Sequence, residues 1–263
     1  MRKILFAILI LSASLFSCED EERRDLQKQV LIESFVYYGQ SKNQLEIRLF
    51  SPLSASGVSP YLNPDRVLLT NLTKGTTVFP AFDTTGIYII ETENINLEED
   101  ETFQLIINYG AETILAQSKV PLKPTGLEFD VDELKLNYIV DAVPNTITLG
   151  WNLDNENYYM VKIDTAEFEP DSIDSSRFSN DPGNPFESRL GVPITTNEIE
   201  ISYPDVKYFG WHRAIVFHIS NDYYELYNNP VQGSYNKVNQ SVANGLGIFT
   251  SFNSDTIRFN VIQ

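Results

Sequence analysis

Short runs in which apolar and polar residues alternate, broken by Gly, Pro, Asn and Asp, recur from residue 30 onward. A period of two puts successive side chains on opposite faces of an extended chain, so each run predicts a β-strand. The clearest is Gln44-Leu45-Glu46-Ile47-Arg48-Leu49, with Leu45, Ile47 and Leu49 on one side and polar residues on the other. Similar runs at 30–37, 66–72, 76–79, 87–91, 102–108 and 113–120 have turn signals between them, such as Thr84-Thr85-Gly86 and Tyr109-Gly110-Ala111. This spacing predicts an Ig-like β-sandwich over residues 30–121. The Ser-, Pro- and Gly-rich stretch 51–64 reads as a loop within it.

Pro121-Leu122-Lys123-Pro124 interrupts the pattern with two residues that cannot donate to a ladder, and a domain boundary is expected there. In the second half, residues 125–263, Thr146-Ile147-Thr148-Leu149-Gly150-Trp151 alternates with Ile147, Leu149 and Trp151 on one face. Trp151 is therefore expected in a core. A strand follows at 158–163, then a long polar excursion at 164–192, read as an insertion. Another strand is expected at 214–219. Ser220 then caps a short helix whose Tyr223, Leu226 and Tyr227 share a face at i, i+3 and i+4. Asn244-Gly245 reads as a turn into a strand, and 256–262 alternates again, with Ile257, Phe259 and Val261 together. The expected class is mostly β: two β-sandwich domains, the second with a long insertion and one short helix.

With 42% apolar and 12% aromatic residues the chain can bury substantial cores. Its 36 acidic against 19 basic residues give a formal charge of −17, which excludes the phosphate backbone of nucleic acid as a partner. The candidate chemistry is sparse. His212 and His218 are six apart on one expected strand, roughly 20 Å at strand rise, too far to share a metal. No Gly-x-Ser-x-Gly nucleophile turn occurs, and Asp171, Asp174 and Asp181 lack the spacing of an EF-hand loop. No catalytic residue, metal or cofactor is expected, and the protein is read as non-enzymatic. Tyr208-Phe209-Gly210-Trp211 places three aromatics at an expected turn. Exposed, Tyr208, Phe209 and Trp211 form a candidate binding patch; buried, they plug a loop.

The N-terminus has its own logic. Arg2 and Lys3 precede a mostly apolar core of thirteen residues at 4–16, the layout of a secretory signal peptide over residues 1–17 and too short to span a bilayer. Leu15-Phe16-Ser17-Cys18 resembles the bacterial lipobox, which implies that Cys18 is acylated, as with palmitate, and becomes the first residue of a membrane-anchored protein. Cys18 is the single cysteine, so no disulfide can form within the chain. The alternative is a cleaved signal with an incidental cysteine. Glu19, Asp20, Glu21 and Glu22 follow at once and resemble the surface-export signal of Bacteroidota lipoproteins; the alternative is an ordinary solvated linker. Residues 18–29 are thus an acidic tether, which can reach about 35 Å when fully extended.

A strand ending in Trp151, then a turn, then Tyr158-Tyr159 resembles the second and third strands of fibronectin type III domains. Together with Tyr223-Tyr224, Tyr227, Asn229-Pro230 and Asn244-Gly245-Leu246-Gly247-Ile248-Phe249, it resembles a Bacteroidota lipoprotein family catalogued as a domain of unknown function. The resemblance implies an outer-membrane lipoprotein with an Ig-like N-terminal half, exposed on the cell surface and accessory to a TonB-dependent receptor in nutrient binding or uptake. A glycan-binding module using exposed aromatics, or a structural or adhesive surface protein, is the alternative. Gly247 is expected to mark close backbone packing, because it leads into a strand and no basic residue follows.

Overall fold

The computed structural model describes residues 30–38, 44–50, 62–83, 87–91, 94–95, 97–136, 146–153, 158–173, 189–202, 205–228 and 242–263. The first half contributes β1 (Leu31–Tyr38), β2 (Gln44–Phe50), β3 (Arg66–Asn71), β4 (Thr76–Val78), β5 (Ala81–Phe82), β6 (Ile87–Glu91), β7 (Thr102–Tyr109) and β8 (Glu112–Lys119). The second half contributes β9 (Glu128–Phe129), β10 (Glu133–Lys135), β11 (Ile147–Gly150), β12 (Tyr159–Thr165), β13 (Arg189–Leu190), β14 (Glu198–Ile201) and β15 (Gly210–His218). The helix α1 (Asn221–Asn228), β16 (Val242–Ala243) and the long β17 (Leu246–Ile262) complete it. The fold is mostly β, two sandwiches built on a shared sheet.

That shared sheet runs β13-β12-β15-β17-β1-β2-β6-β5, with β10 also paired to β17. One part of it packs against the five-stranded sheet β16-β8-β7-β3-β4 over a core that includes Ile32, Ile47, Leu49, Leu69, Phe103, Leu105, Ile107 and Phe249. The other part packs against the three-stranded sheet β14-β11-β9 over Leu134, Ile147, Leu149, Trp151, Tyr159, Val216 and Phe259. The latter is the three-against-four arrangement of a fibronectin type III domain. Alternation builds the first core: β1 and β7 bury every second residue, so β1 supplies Ile32 and Val36 and β7 supplies Phe103, Leu105 and Ile107, at about 1.5–3 kcal/mol apiece.

The division at residues 121–125 needs correction on one point. Residues 242–253, assigned by sequence to the second half, build the first sandwich. Val242 pairs with Ala116 on β8, and Leu246–Asn253 runs parallel to Leu31–Tyr38. From Asn253 onward the same strand pairs antiparallel with β15, so β17 serves one sandwich and then the other. The Asn-Gly-Leu-Gly entry makes this possible. Asn244 adopts φ 61° and donates to the carbonyl of Thr113, while Gly247 adopts φ 102° with its Cα against the backbone of Ile32, where a Cβ would collide with the carbonyl oxygen. Gly247 thus marks the close backbone approach expected of it.

Buried polar groups fix the crossing point. Asn253, fully buried, donates to the carbonyl of Pro121 at 2.9 Å and accepts the amide of Ser254 at 2.8 Å. His218 Nδ1 lies 2.9 Å from the carbonyl of Leu122, and Lys123 pairs with Asp255 at 3.0 Å. The proline-bounded segment is therefore bonded into the junction between the sandwiches. On the outer face of the shared sheet Phe35, Tyr37, Phe217 and Phe252 cluster, and α1 lies over them through Tyr223 and Tyr224. Ser220 caps α1 as expected, accepting the amide of Tyr223. Tyr227, expected to share a face with Tyr223, is exposed, and it is Tyr224 that packs, meeting Tyr158 at 4.7 Å between ring centroids.

The excursion at 164–192 is also shorter than its sequence suggests. Asp164 and Thr165 belong to β12, Ser172 bridges to Tyr208, and Arg189 and Leu190 form β13. Asp174, Asp181, Cys18 and Glu19 to Glu22 lie outside the described residues.

Candidate functional site

The second sandwich ends in a row of side chains on the outer face of the shared sheet. Along β15, His212, Ala214 and Val216 turn into the core, and the opposite parity sends Trp211, Arg213, Ile215 and Phe217 outward. Trp211 pairs in register with Asn260 of β17, and Asn260 with Glu133 of β10. Residues directly opposite each other on a sheet share a face about 5 Å apart, so Trp211, Asn260 and Glu133 form one row across three strands. The next row carries Asp164, Arg213 and Arg258. Asp164 accepts two hydrogen bonds from the guanidinium of Arg213, at 2.8 and 3.1 Å, and lies 3.4 Å from Lys162 Nζ.

Beside Trp211 stands a loop, 166–171, whose two feet are hydrogen-bonded on either side of Gly210. The amide of Ala166 donates to the carbonyl of Trp211, and the amide of Phe209 to the carbonyl of Asp171. Glu167 folds over Gly210 and accepts the amide of Trp211 at 3.0 Å. Gly210 has φ 93°, and a Cβ there would come within about 3.0 Å of the Glu167 side chain, so glycine is what lets the loop close. The loop presents Phe168, which is 83% exposed, next to the segment carrying Trp211, 48% exposed. Exposing two large rings on neighbouring segments is costly unless something covers them.

Of the expected patch of Tyr208, Phe209 and Trp211, only Trp211 faces solvent. Tyr208 is 7% exposed, held by its bridge to Ser172, and Phe209 packs on the second core. Parity separates them: the three aromatics belong to a strand and its lead-in, where neighbouring side chains take opposite faces, and not to an open turn. Phe168 supplies the second exposed ring. Its sequence signal, a lone aromatic among Glu167, Glu169 and Asp171, lies inside the polar excursion and has no periodicity to single it out.

The remaining candidates are structural. His212 is buried, stacks on Phe259 at 5.4 Å and has Nδ1 3.0 Å from the carbonyl of Gly210. Burial holds its pKa below the ordinary imidazole value, against the opposing pull of that carbonyl, Asp164 and Glu167. His218 is buried against Tyr159 six residues along, at the junction. Trp151 lies in the second core, edge-on to Tyr159 at 5.4 Å, and its indole N–H has no acceptor among the described residues. Among the described residues no group of three His, Cys, Asp or Glu side chains could hold a metal ion. The row at the end of the sheet offers a flat ring, an amide, a carboxylate and a guanidinium.

No protein-family model matches the chain, and no curated protein does. Among solved structures it is similar to the chicken CNTN1 FN1-FN3 domains at 12% identity and a TM-score of 0.28, over 88% of this chain and 65% of that one. It is also similar to a Ca2+-stabilized adhesin that helps an Antarctic bacterium reach out and bind ice, at 8% identity and a TM-score of 0.25, over 89% of this chain and 48% of that one. The chain thus spans less than two thirds of the length of either. Likeness at these scores carries no argument about function.

Proposed function

We propose that this is a non-enzymatic lipoprotein of the outer-membrane surface, anchored through Cys18 and accessory to a TonB-dependent receptor in capturing a nutrient ligand. The observation that supports it is the run of β17. Leu246 pairs with Leu31, where the tether ends, and Asn260 pairs with Trp211. Fourteen residues of strand, about 46 Å at strand rise, separate the two. A protein tethered before Val30 holds Trp211 and Phe168 at the far end, away from the bilayer. The acidic tether adds its own reach and is repelled by an anionic leaflet.

A receptor pull-down from native membranes tests this reading. The full-length protein is expected to recover a neighbouring TonB-dependent receptor, to be shaved by protease on intact cells, and to lose membrane association in Cys18→Ala, because the acyl chains on Cys18 are its anchor and among the described residues no helix is long and apolar enough to cross a membrane. A Cys18→Ala protein that stays in the membrane fraction, or a pull-down without receptor, overturns it. The second reading, a glycan-binding or adhesive surface module, draws on the exposure of Phe168 and Trp211.

A further inference from the structure

The row at the end of the shared sheet has a charge balance at odds with the rest of the molecule. In a chain of formal charge −17, the acids on this face and its flanking loop are Glu133, Asp164, Glu167, Glu169 and Asp171, and the bases are Lys135, Lys162, Arg213 and Arg258. Asp164 is taken up by Arg213 and Lys162, and Glu167 by the amide of Trp211. The side chains of Asn260, Arg258 and Glu133 have no hydrogen-bond partner among the described residues. Arg258 and Glu133 are exposed, and Asn260 stands between Glu133 and the half-exposed Trp211.

We infer that Trp211, Asn260, Arg258 and Glu133 form a binding site for an uncharged saccharide, with the sugar's C–H face on the indole of Trp211 and its hydroxyls on the other three. The chemistry matches point by point. A tryptophan with one face to solvent is a large, rigid apolar platform. An amide and a carboxylate accept hydroxyl protons, while the amide and the guanidinium donate to hydroxyl oxygens. Neighbours on adjacent strands stand about 5 Å apart, and side chains two residues along a strand about 7 Å, so all four groups fall within reach of one or two pyranose rings. A few polar groups around an apolar platform fix the orientation of a neutral ligand.

The inference rests on the reading of the protein as a surface binding protein and names its ligand class. Affinity electrophoresis of the detergent-solubilised full-length protein through gels containing soluble glucan, mannan, galactan or xylan tests it. At least one of the four is expected to retard the protein and to change the fluorescence of Trp211. Trp211→Ala should weaken that retention at least tenfold, Asn260→Ala and Arg258→Ala threefold or more, and Trp211→Phe should keep most of it. Arg258→Ala, exposed on the sheet, carries the test if Trp211→Ala does not fold. Retardation by none of the four, or retardation unchanged in Trp211→Ala and Arg258→Ala, overturns the site. Receptor recovery without saccharide retention defeats this inference alone, and saccharide retention without receptor recovery defeats the receptor reading alone.

Discussion

His212 and the two tryptophans show how far parity along a strand decides a residue's role. His212 is buried neutral, with its pKa pushed below the unfolded value of about 6.5 by burial. Its contribution to stability is complete above that value and falls as pH drops below it, because the unfolded chain then binds a proton that the folded one refuses. The melting temperature of the wild type should therefore fall further between pH 7.5 and 5.5 than that of His212→Phe, as followed by circular dichroism. Equal slopes would show that His212 does not titrate differently on folding. Trp151 and Trp211 are told apart by melts. Trp151→Ala should lose about 3–5 kcal/mol by opening a cavity in the second core, whereas Trp211→Ala should change stability by about 0.5 kcal/mol. Trp151 was legible because it shares parity with Ile147 and Leu149. Tyr208 and Phe209 were not, because a tight aromatic cluster reads as a turn until the pairing of Ser172 with Tyr208 is known.

At the scale of elements, the seven strands expected in the first half were legible to within a residue or two, helped by the one dry and one wet face of β1, β3, β6 and β7; the two-residue β5, exposed throughout, was not. β17 was not. Its middle, Thr250-Ser251-Phe252-Asn253-Ser254, reads as a polar link between two strands, yet every residue of it is buried. A strand covered on both faces loses its alternation, and its polar side chains are satisfied by partners far away in sequence: Ser251 by Ser118, Thr250 by Ser220, Asn253 by Pro121. The Asn253 side chain is the one most exposed to test. Asn253→Ala leaves a buried carbonyl and a buried amide without their partner, at about 1–3 kcal/mol each, and should destabilise the protein by roughly 2–4 kcal/mol. Hydrogen exchange at Leu105 in the first core and at Val216 in the second reports where the loss falls. Accelerated exchange at both sites is expected; a loss confined to one would mean that the junction does not couple them.

For the molecule as a whole, the site was legible only in part because it is assembled from three strands far apart in the chain. Trp211 could be named from sequence, but Glu133, Asn260 and Arg258 join it only through the register of β10, β15 and β17. No local pattern carries that register. The order of synthesis carries a further consequence. Of the two strands that flank β1 in the first sandwich, β17 is made far downstream of it, after the whole of β9 to β16. A nascent or translocating chain that has finished residues 30–121 still lacks that strand, so the N-terminal half cannot complete its fold vectorially as it emerges. A chain ending at residue 245 should leave no trypsin-resistant fragment spanning 30–121, whereas the intact chain should unfold in one transition with both halves protected. Recovery of a stable N-terminal fragment would refute this. Completion of the chain is thereby a condition of folding: interrupted products present open sheet edges to proteases, and a chain that has folded has both ends of β17 already in place.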